Sequence, residues 1–265
     1  MPKFIIGRGQ VGLRATDRVN IILAGESSSG LVRKHNEDSF CLICQPSSRA
    51  ALAVVADGVG GYSRGEIASF ICCRDLSRRF LDCGGENWDS PTVAVQFFHE
   101  NIGAINDRIY QRNSYEQRPR PMASTIIAVV FFHDSLVMAS AGDSRLYELD
   151  GEGNLSQLSQ DHTLSAELYQ KFGKNPEFLS DGHGEMITRV VGSRAKLDLD
   201  VKTFERKAKS RYLLCTDGLY RDISTEQLIG ELKSAASPRR AVGALVRAAL
   251  LGGGRDNITA LAAFP

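Results

Sequence analysis

Apolar residues along this chain follow two rhythms, and the switch from one to the other marks out its elements. Unbroken apolar runs of strand length occur at Ser39–Gln45 and Ala50–Ala56, joined by Pro46-Ser47-Ser48-Arg49. Similar runs at Thr125–Phe132 and Leu136–Ala141 flank His133-Asp134-Ser135, and those at Arg145–Leu149 and Leu155–Leu158 flank Asp150-Gly151-Glu152-Gly153. Each pair predicts a β-hairpin. Single strands are predicted at Arg211–Cys215 and Ile258–Phe264. Helical spacing governs Glu66–Cys83, through Ile67, Phe70, Ile71, Leu76, Phe80 and Leu81. It also governs Thr92–Arg112, through Val95, Phe98, Ile102, Ile105 and Ile109. Two amphipathic stretches follow, Thr225–Ala236 and Pro238–Leu251, the second opened by proline and closed by Gly252-Gly253-Gly254. Residues 1–21 show no clear period and read as an N-terminal extension or edge segment. Residues 163–187 are loosely patterned, part helix, rich in glycine and charge, and suit a mobile flap. Strands in hairpins with helices grouped between them predict an α+β chain of antiparallel sheets with helices on their outer faces.

Composition narrows the setting. A chain of 265 residues fits one domain with a substantial core. Its 32 Lys+Arg balance 31 Asp+Glu, which recommends neither nucleic acid nor an anionic membrane as a partner. The longest wholly apolar stretch, Ile126–Phe132, is too short to span a bilayer, and the first residues lack a signal-peptide core. A soluble, cytoplasmic monomer is the expectation. The six cysteines, at 41, 44, 72, 73, 83 and 215, are expected as buried, reduced thiols. Cys41 and Cys44 stand three apart on a strand and so face opposite sides, a poor metal clip.

The chemistry lies in the acids at strand ends. Asp57 follows Ala51–Ala56 and precedes Gly58; Asp217 follows Arg211–Cys215 and precedes Gly218. Each strand delivers a carboxylate to a sheet edge, then turns on a residue without a Cβ, so that backbone can approach a ligand closely. Glu37-Asp38, Asp143 and Asp256 occupy matching positions. Asp38 precedes the first hairpin and Asp57 follows it, so antiparallel pairing brings them to one edge. Asp217 and Asp256 share an edge if their strands pair likewise. Such a gathering is strongly repulsive unless cations sit among the oxygens, and all-oxygen ligands suit Mg²⁺ or Mn²⁺. Two such ions roughly 3.5–4 Å apart lower the pKa of a bridging water, and the hydroxide attacks phosphorus without a side-chain nucleophile. Arg33 is placed to hold phosphate oxygens. A rival signal, Cys215 and Arg221 at the spacing of a cysteine-dependent phosphatase loop, is weak. Leu214 stands where that loop carries histidine, and the phosphate-cradling glycines are missing.

The order of these motifs resembles the metal-dependent protein phosphatases of type 2C. The matches are Gly30 with Arg33 and Asn36-Glu37-Asp38, Asp57-Gly58-Val59-Gly60-Gly61 with Gly65-Glu66, and Ser124-Thr125. They continue through Gly142-Asp143-Ser144-Arg145, Asp161-His162, Thr188-Arg189, Thr216-Asp217-Gly218-Leu219 and Arg255-Asp256-Asn257-Ile258-Thr259. The resemblance implies a four-layer αββα sandwich over residues 22–265, with two mainly antiparallel sheets and a flap at about 163–187. It implies hydrolysis of phosphoserine and phosphothreonine in proteins phosphorylated by a Ser/Thr kinase. Two Mn²⁺ or Mg²⁺ ions are implied, bridged by Asp57, with the Gly58 carbonyl on one of them and Asp217 and Asp256 on the other. A third ion near Asp143 is the further implication. Glu37 and Asp38 would act on the ions directly or through waters, and Arg33 and Asp38 are the candidate catalytic residues. Val59 stands where many eukaryotic members carry a proposed general-acid histidine, so a metal-bound water is the expected proton donor. Tyr62 replaces a histidine frequent in bacterial members, and the compact single domain points to a bacterial enzyme. A catalytically silent phosphate-binding regulatory module and a metallohydrolase of small phosphoesters are the alternatives.

Overall fold

The computed structural model describes residues 3–7, 11–14, 18–44, 48–59, 64–117, 121–173 and 183–265. The expectations at Pro46, Ser47, Gly60, Gly61 and Tyr62, and for 174–182 of the flap, lie outside the described residues. In chain order the first strands are β1 (Lys3–Gly7), β2 (Val11–Arg14), β3 (Ile22–Ser28), β4 (Ser39–Cys44), β5 (Ala51–Ala56) and β6 (Gly58–Val59). Helices α1 (Gly65–Asp82) and α2 (Pro91–Glu116) follow. Then come β7 (Ala123–Ser124), β8 (Ile126–Phe131), β9 (Ser135–Ala141), β10 (Arg145–Leu149), β11 (Leu155–Gln157) and α3 (Leu164–Phe172). The chain ends with β12 (Asp200–Glu205), β13 (Arg211–Cys215), α4 (Asp217–Tyr220), α5 (Thr225–Ser234), α6 (Pro238–Leu251) and β14 (Ile258–Phe264).

Two six-stranded antiparallel sheets result, ordered β1-β4-β5-β8-β9-β12 and β11-β10-β13-β14-β3-β2. Their alternating side chains build three apolar cores, which makes four layers. Cys41, Ile43, Leu52, Val54, Ala128 and Val130 point outward against α1 and α2. Phe40, Leu42, Val55, Ile127 and Val129 face Leu23, Leu146, Leu214 and Leu261 of the second sheet. Leu213, Cys215, Ala260 and Ala262 pack outward on α5 and α6. With both faces covered, β4, β5 and β8 are buried at every position, which explains nearly unbroken apolar runs where a half-exposed strand would alternate. The α+β sandwich inferred from the motifs is the observed one.

The segment read as an N-terminal extension or edge segment supplies a strand to the border of each sheet, β1 beside β4 and β2 beside β3. Strand β3 pairs with β14 along Ile258↔Ser28 to Phe264↔Ile22, an interior place that its Ala-Gly-Glu-Ser-Ser sequence does not advertise. Its Gly25 has a packing reason: a Cβ there would lie 2.6 Å from the Phe40 ring. Among the described residues no helix is long and apolar enough to cross a membrane.

All six cysteines are free thiols; five are buried and Cys83 is partly exposed. Cys41 and Cys44 fall in different cores, as their spacing requires. In native protein a thiol reagent is expected to label Cys83 first and the other five only on unfolding, which counting labelled thiols by mass will check.

Candidate metal centre

The antiparallel registers carry the strand-end acids to one border. Ser39 pairs with Ala56, so Asp38 and Asp57 leave β4 and β5 side by side. Ile126 pairs with Ala141, which sets Gly142-Asp143 beside Thr125 and Asp57. Arg145 pairs with Cys215, and Cys215 with Ala260, so the second sheet brings Asp217 and Asp256 to the same border. The two sheets meet there through Asp38. Its Oδ2 accepts hydrogen bonds from the hydroxyls of Thr216 at 2.9 Å and Thr259 at 2.6 Å.

Neighbouring backbone is fixed just as closely. The Asp57 N–H donates to Thr125 Oγ1 at 3.0 Å, and the Thr125 N–H donates to the Asp57 carbonyl at 2.8 Å. The Gly58 N–H donates to the Glu37 carbonyl at 3.2 Å. Asn257 Oδ1 accepts from the Glu37 N–H, while its Nδ2 donates to the carbonyls of Ser29 and His35. The glycines after the aspartates have a packing reason of their own. A Cβ on Gly58 would stand 2.3 Å from the Gly65 carbonyl carbon, and one on Gly218 would stand 2.1 Å from the Asn257 carbonyl oxygen.

The acids differ in depth. Asp38 is fully buried and Asp143 is 2% exposed, whereas the Asp256 side chain is 38% exposed. Burial pushes the Asp38 carboxyl up to about 7 against the two threonine hydroxyls, and the charges of Asp217 and Asp256 add to the rise. Asp57 is raised well above its ordinary value by burial, then by Asp38, Asp217, Asp143 and Asp256. Burial and Asp217 lift Asp143 to about 6, with Arg221 opposing. Asp217 is raised by burial and by Asp256, while Arg221 and a hydrogen bond with Asp57 oppose. Glu37 is raised by burial and then by Glu66; it stands at the rim between Glu66 and Arg33. Arg33 donates to Asp256 Oδ2 at 2.6 Å and is raised mainly by that bond.

These features fit divalent cations. Asp38 Oδ1 and both Asp143 oxygens are buried without a hydrogen-bond partner, a costly state for carboxylates unless a cation takes them. Among the described residues no three Asp, Glu, His or Cys side chains form a closed cage. Mg²⁺ and Mn²⁺ keep several waters and need few protein ligands each, so a cluster without a closed protein cage suits them. The site thus unites Asp38, Asp57, Asp143, Asp217 and Asp256, with the Gly58 backbone beside Asp57 and with Glu37 and Arg33 at its rim. Cys215 has no part in it: the thiol is buried, and burial raises it far from reactivity. Residues that the sequence did not single out complete the frame. Thr216 and Thr259 brace Asp38, and Asn257 staples Glu37. Tyr220, stacked on Arg145 at 3.6 Å, donates its hydroxyl to the Asp143 carbonyl at 3.2 Å.

Comparison with known proteins gives the same direction. The sequence profile of the protein phosphatase 2C family matches residues 30–248. The serine/threonine phosphatase stp of Listeria welshimeri is 28% identical over 239 residues, covering 88% of this chain and 91% of that protein. The serine/threonine protein phosphatase PstP of Mycobacterium tuberculosis is 33% identical over 254 residues, covering 93% of this chain but 46% of PstP. Among solved structures, the catalytic domain of PstP in complex with two manganese ions matches with a TM-score of 0.75 at 29% identity, over 92% of this chain and 97% of that domain.

Folding raises Asp38 and Asp143 above 3.8, so the folded, ion-free protein holds protons that the unfolded chain has released. Their contribution to stability is full below pH 3.8, declines as pH rises from there, and is lost once pH passes about 6 to 7. Without metal, Asp143→Asn is expected to stabilise the fold at pH 8 by on the order of 1–3 kcal/mol, to do so by less at pH 5, and to leave stability unchanged below pH 3.8. Calorimetry with chelator will decide. Gly218→Ala is expected to cost about 1–3 kcal/mol by driving Asn257 away, measurable by urea unfolding.

Proposed function

The chain belongs to the protein phosphatase 2C family, and on that footing we propose that it hydrolyses phosphoserine and phosphothreonine in proteins with divalent metal ions. The observation that carries this reading is the set of buried carboxylate oxygens without partners, gathered with Asp57 and Asp217 at one sheet border. Asp57 with the Gly58 carbonyl, together with Asp217 and Asp256, would hold two Mn²⁺ or Mg²⁺ ions, and Asp143 with Asp217 a third. When bound, the ions supply Lewis acidity that lets a water attack phosphorus at neutral pH.

The chain's own groups have separate tasks. Asp38 offers Oδ1 to the cluster while Thr216 and Thr259 hold Oδ2, so its free oxygen has one direction only. Glu37, at the rim, would act on the ions directly or through waters. Arg33 commits one N–H to Asp256 and keeps the rest of its planar fork for phosphate oxygens. Val59 has no proton to give, so the leaving alkoxide takes its proton from water and not from a side chain at that position. Leu31 and Val32, 70% and 66% exposed, stand immediately before Arg33. Apolar surface beside the phosphate site suits a polypeptide flank, which a small phosphoester lacks, and this favours phosphoproteins as substrates.

Purified protein is expected to hydrolyse a phosphothreonine peptide with Mn²⁺ and to stop with chelator; no turnover at any metal concentration would leave only a phosphate-binding module. Asp57→Ala and Asp217→Ala should each lower kcat/KM by about 10³-fold or more, ~4 kcal/mol of barrier, without loss of fold. Arg33→Ala should act mainly on KM, by roughly tenfold, and steady-state kinetics on the peptide will show it.

A further inference from the structure

The acidic pair Asp143–Asp217 already faces a cation of the chain itself. Asp217 opens a single helical turn whose first carbonyl accepts the Arg221 N–H at 3.0 Å. That geometry returns the Arg221 side chain over Asp217, four residues earlier. Its Nη1 lies 3.3 Å from Asp217 Oδ2 and 3.0 Å from Glu185 Oε2, and its Nη2 lies 3.6 Å from Asp143 Oδ2. The last distance is too long for a hydrogen bond, so Asp143 gains charge balance without a hydrogen bond to either oxygen. The Arg221 side chain is 41% exposed and has solvent to withdraw into.

Glu185 comes from a different part of the chain, the turn His183–Glu185 that closes the segment after α3. The Leu164 N–H donates to the neighbouring Met186 carbonyl at 2.9 Å, and the Thr188 N–H donates to the His162 carbonyl at 2.8 Å, so this turn leads straight into the base of α3. One guanidinium thereby touches a deep carboxylate, a carboxylate of the core site and a carboxylate of the flanking segment.

We propose that Arg221 is the resident cation of the Asp143–Asp217 pair, that a divalent ion enters this pair only by displacing it, and that the displacement releases Glu185. The inference rests on the metal-dependent reading above. A guanidinium and a divalent ion within about 4 Å of the same two carboxylates repel each other strongly, so one excludes the other. Arg221 therefore sets the affinity of the third position and ties its occupancy to the 183–188 turn. It is a positioning residue; it need touch no substrate.

Binding of Mn²⁺ is the test, followed by electron paramagnetic resonance of the free ion in wild type, Arg221→Gln, Arg221→Lys and Arg221→Gln/Asp143→Asn. The third ion is expected to bind about tenfold tighter in Arg221→Gln and as in wild type in Arg221→Lys, with core binding unchanged. The tighter site is expected to vanish in the double variant. Hydrogen exchange over 183–188 should quicken with Mn²⁺ in wild type and be fast without it in Arg221→Gln. Equal third-ion affinity and equal exchange in wild type and Arg221→Gln, with core ions bound in both, overturns the proposal alone. Absence of any Mn²⁺ binding by wild type overturns the metal reading and this proposal with it.

Discussion

Two threonine hydroxyls on one carboxylate oxygen hold this molecule's working border together. Asp38 stands at the end of the first sheet, Thr216 and Thr259 at the ends of two strands of the second, and their contact closes the sandwich at that end. The link extends through Ser27, whose hydroxyl meets Thr259 at 2.8 Å and accepts from Asn36 at 2.8 Å. Everything else at the border takes its position from this join. Were the sheets free to slide, Asp57 and Asp143 would part from Asp217 and Asp256. The hydroxyl pair favours the charged form of Asp38, burial opposes it more strongly, and the balance leaves a carboxyl poised near neutrality.

The same compromise runs through the cluster. Five acids at one border cost the folded state energy, because burial and neighbouring carboxylates raise Asp38, Asp57, Asp143 and Asp217. The chain tolerates this by placing two arginines at the edge, Arg33 on Asp256 and Arg221 on Asp217 and Asp143. Both pairs are partly exposed and so are weak on their own. Their weakness is useful, since a group that held these oxygens tightly would block the chemistry for which they are gathered.

Much of this was legible in the sequence. Strands Arg145–Leu149, Arg211–Cys215 and Ile258–Phe264 and helix Pro238–Leu251 appear with the boundaries that the apolar pattern sets, because each is mostly buried or is capped by proline and glycine. The convergence of Asp38 with Asp57 followed from hairpin logic, a local rule. Three things were hidden because they depend on distant partners. Strand β3 is small and polar where Phe40 presses on Gly25, so it lacks the apolar signal of its neighbours. Strand β12 alternates weakly, as a sheet-edge strand with intermediate and exposed positions does. The bracing threonines sit within recognisable motifs, yet nothing in their spacing says that both reach Asp38. Arg221 announced a spurious partnership with Cys215, six residues back, when its true partner is Asp217, four residues back.

Asp38 and Thr259 are 221 positions apart, and the strand that follows Asp256 lies between β13 and β3, in the interior of its sheet. During synthesis the first carboxylates therefore leave the ribosome long before the hydroxyls and the last aspartate that complete them. A nascent chain carries most of the acids but has no assembled centre until β14 slots between β13 and β3. Assembly of the centre and insertion of β14 thus coincide.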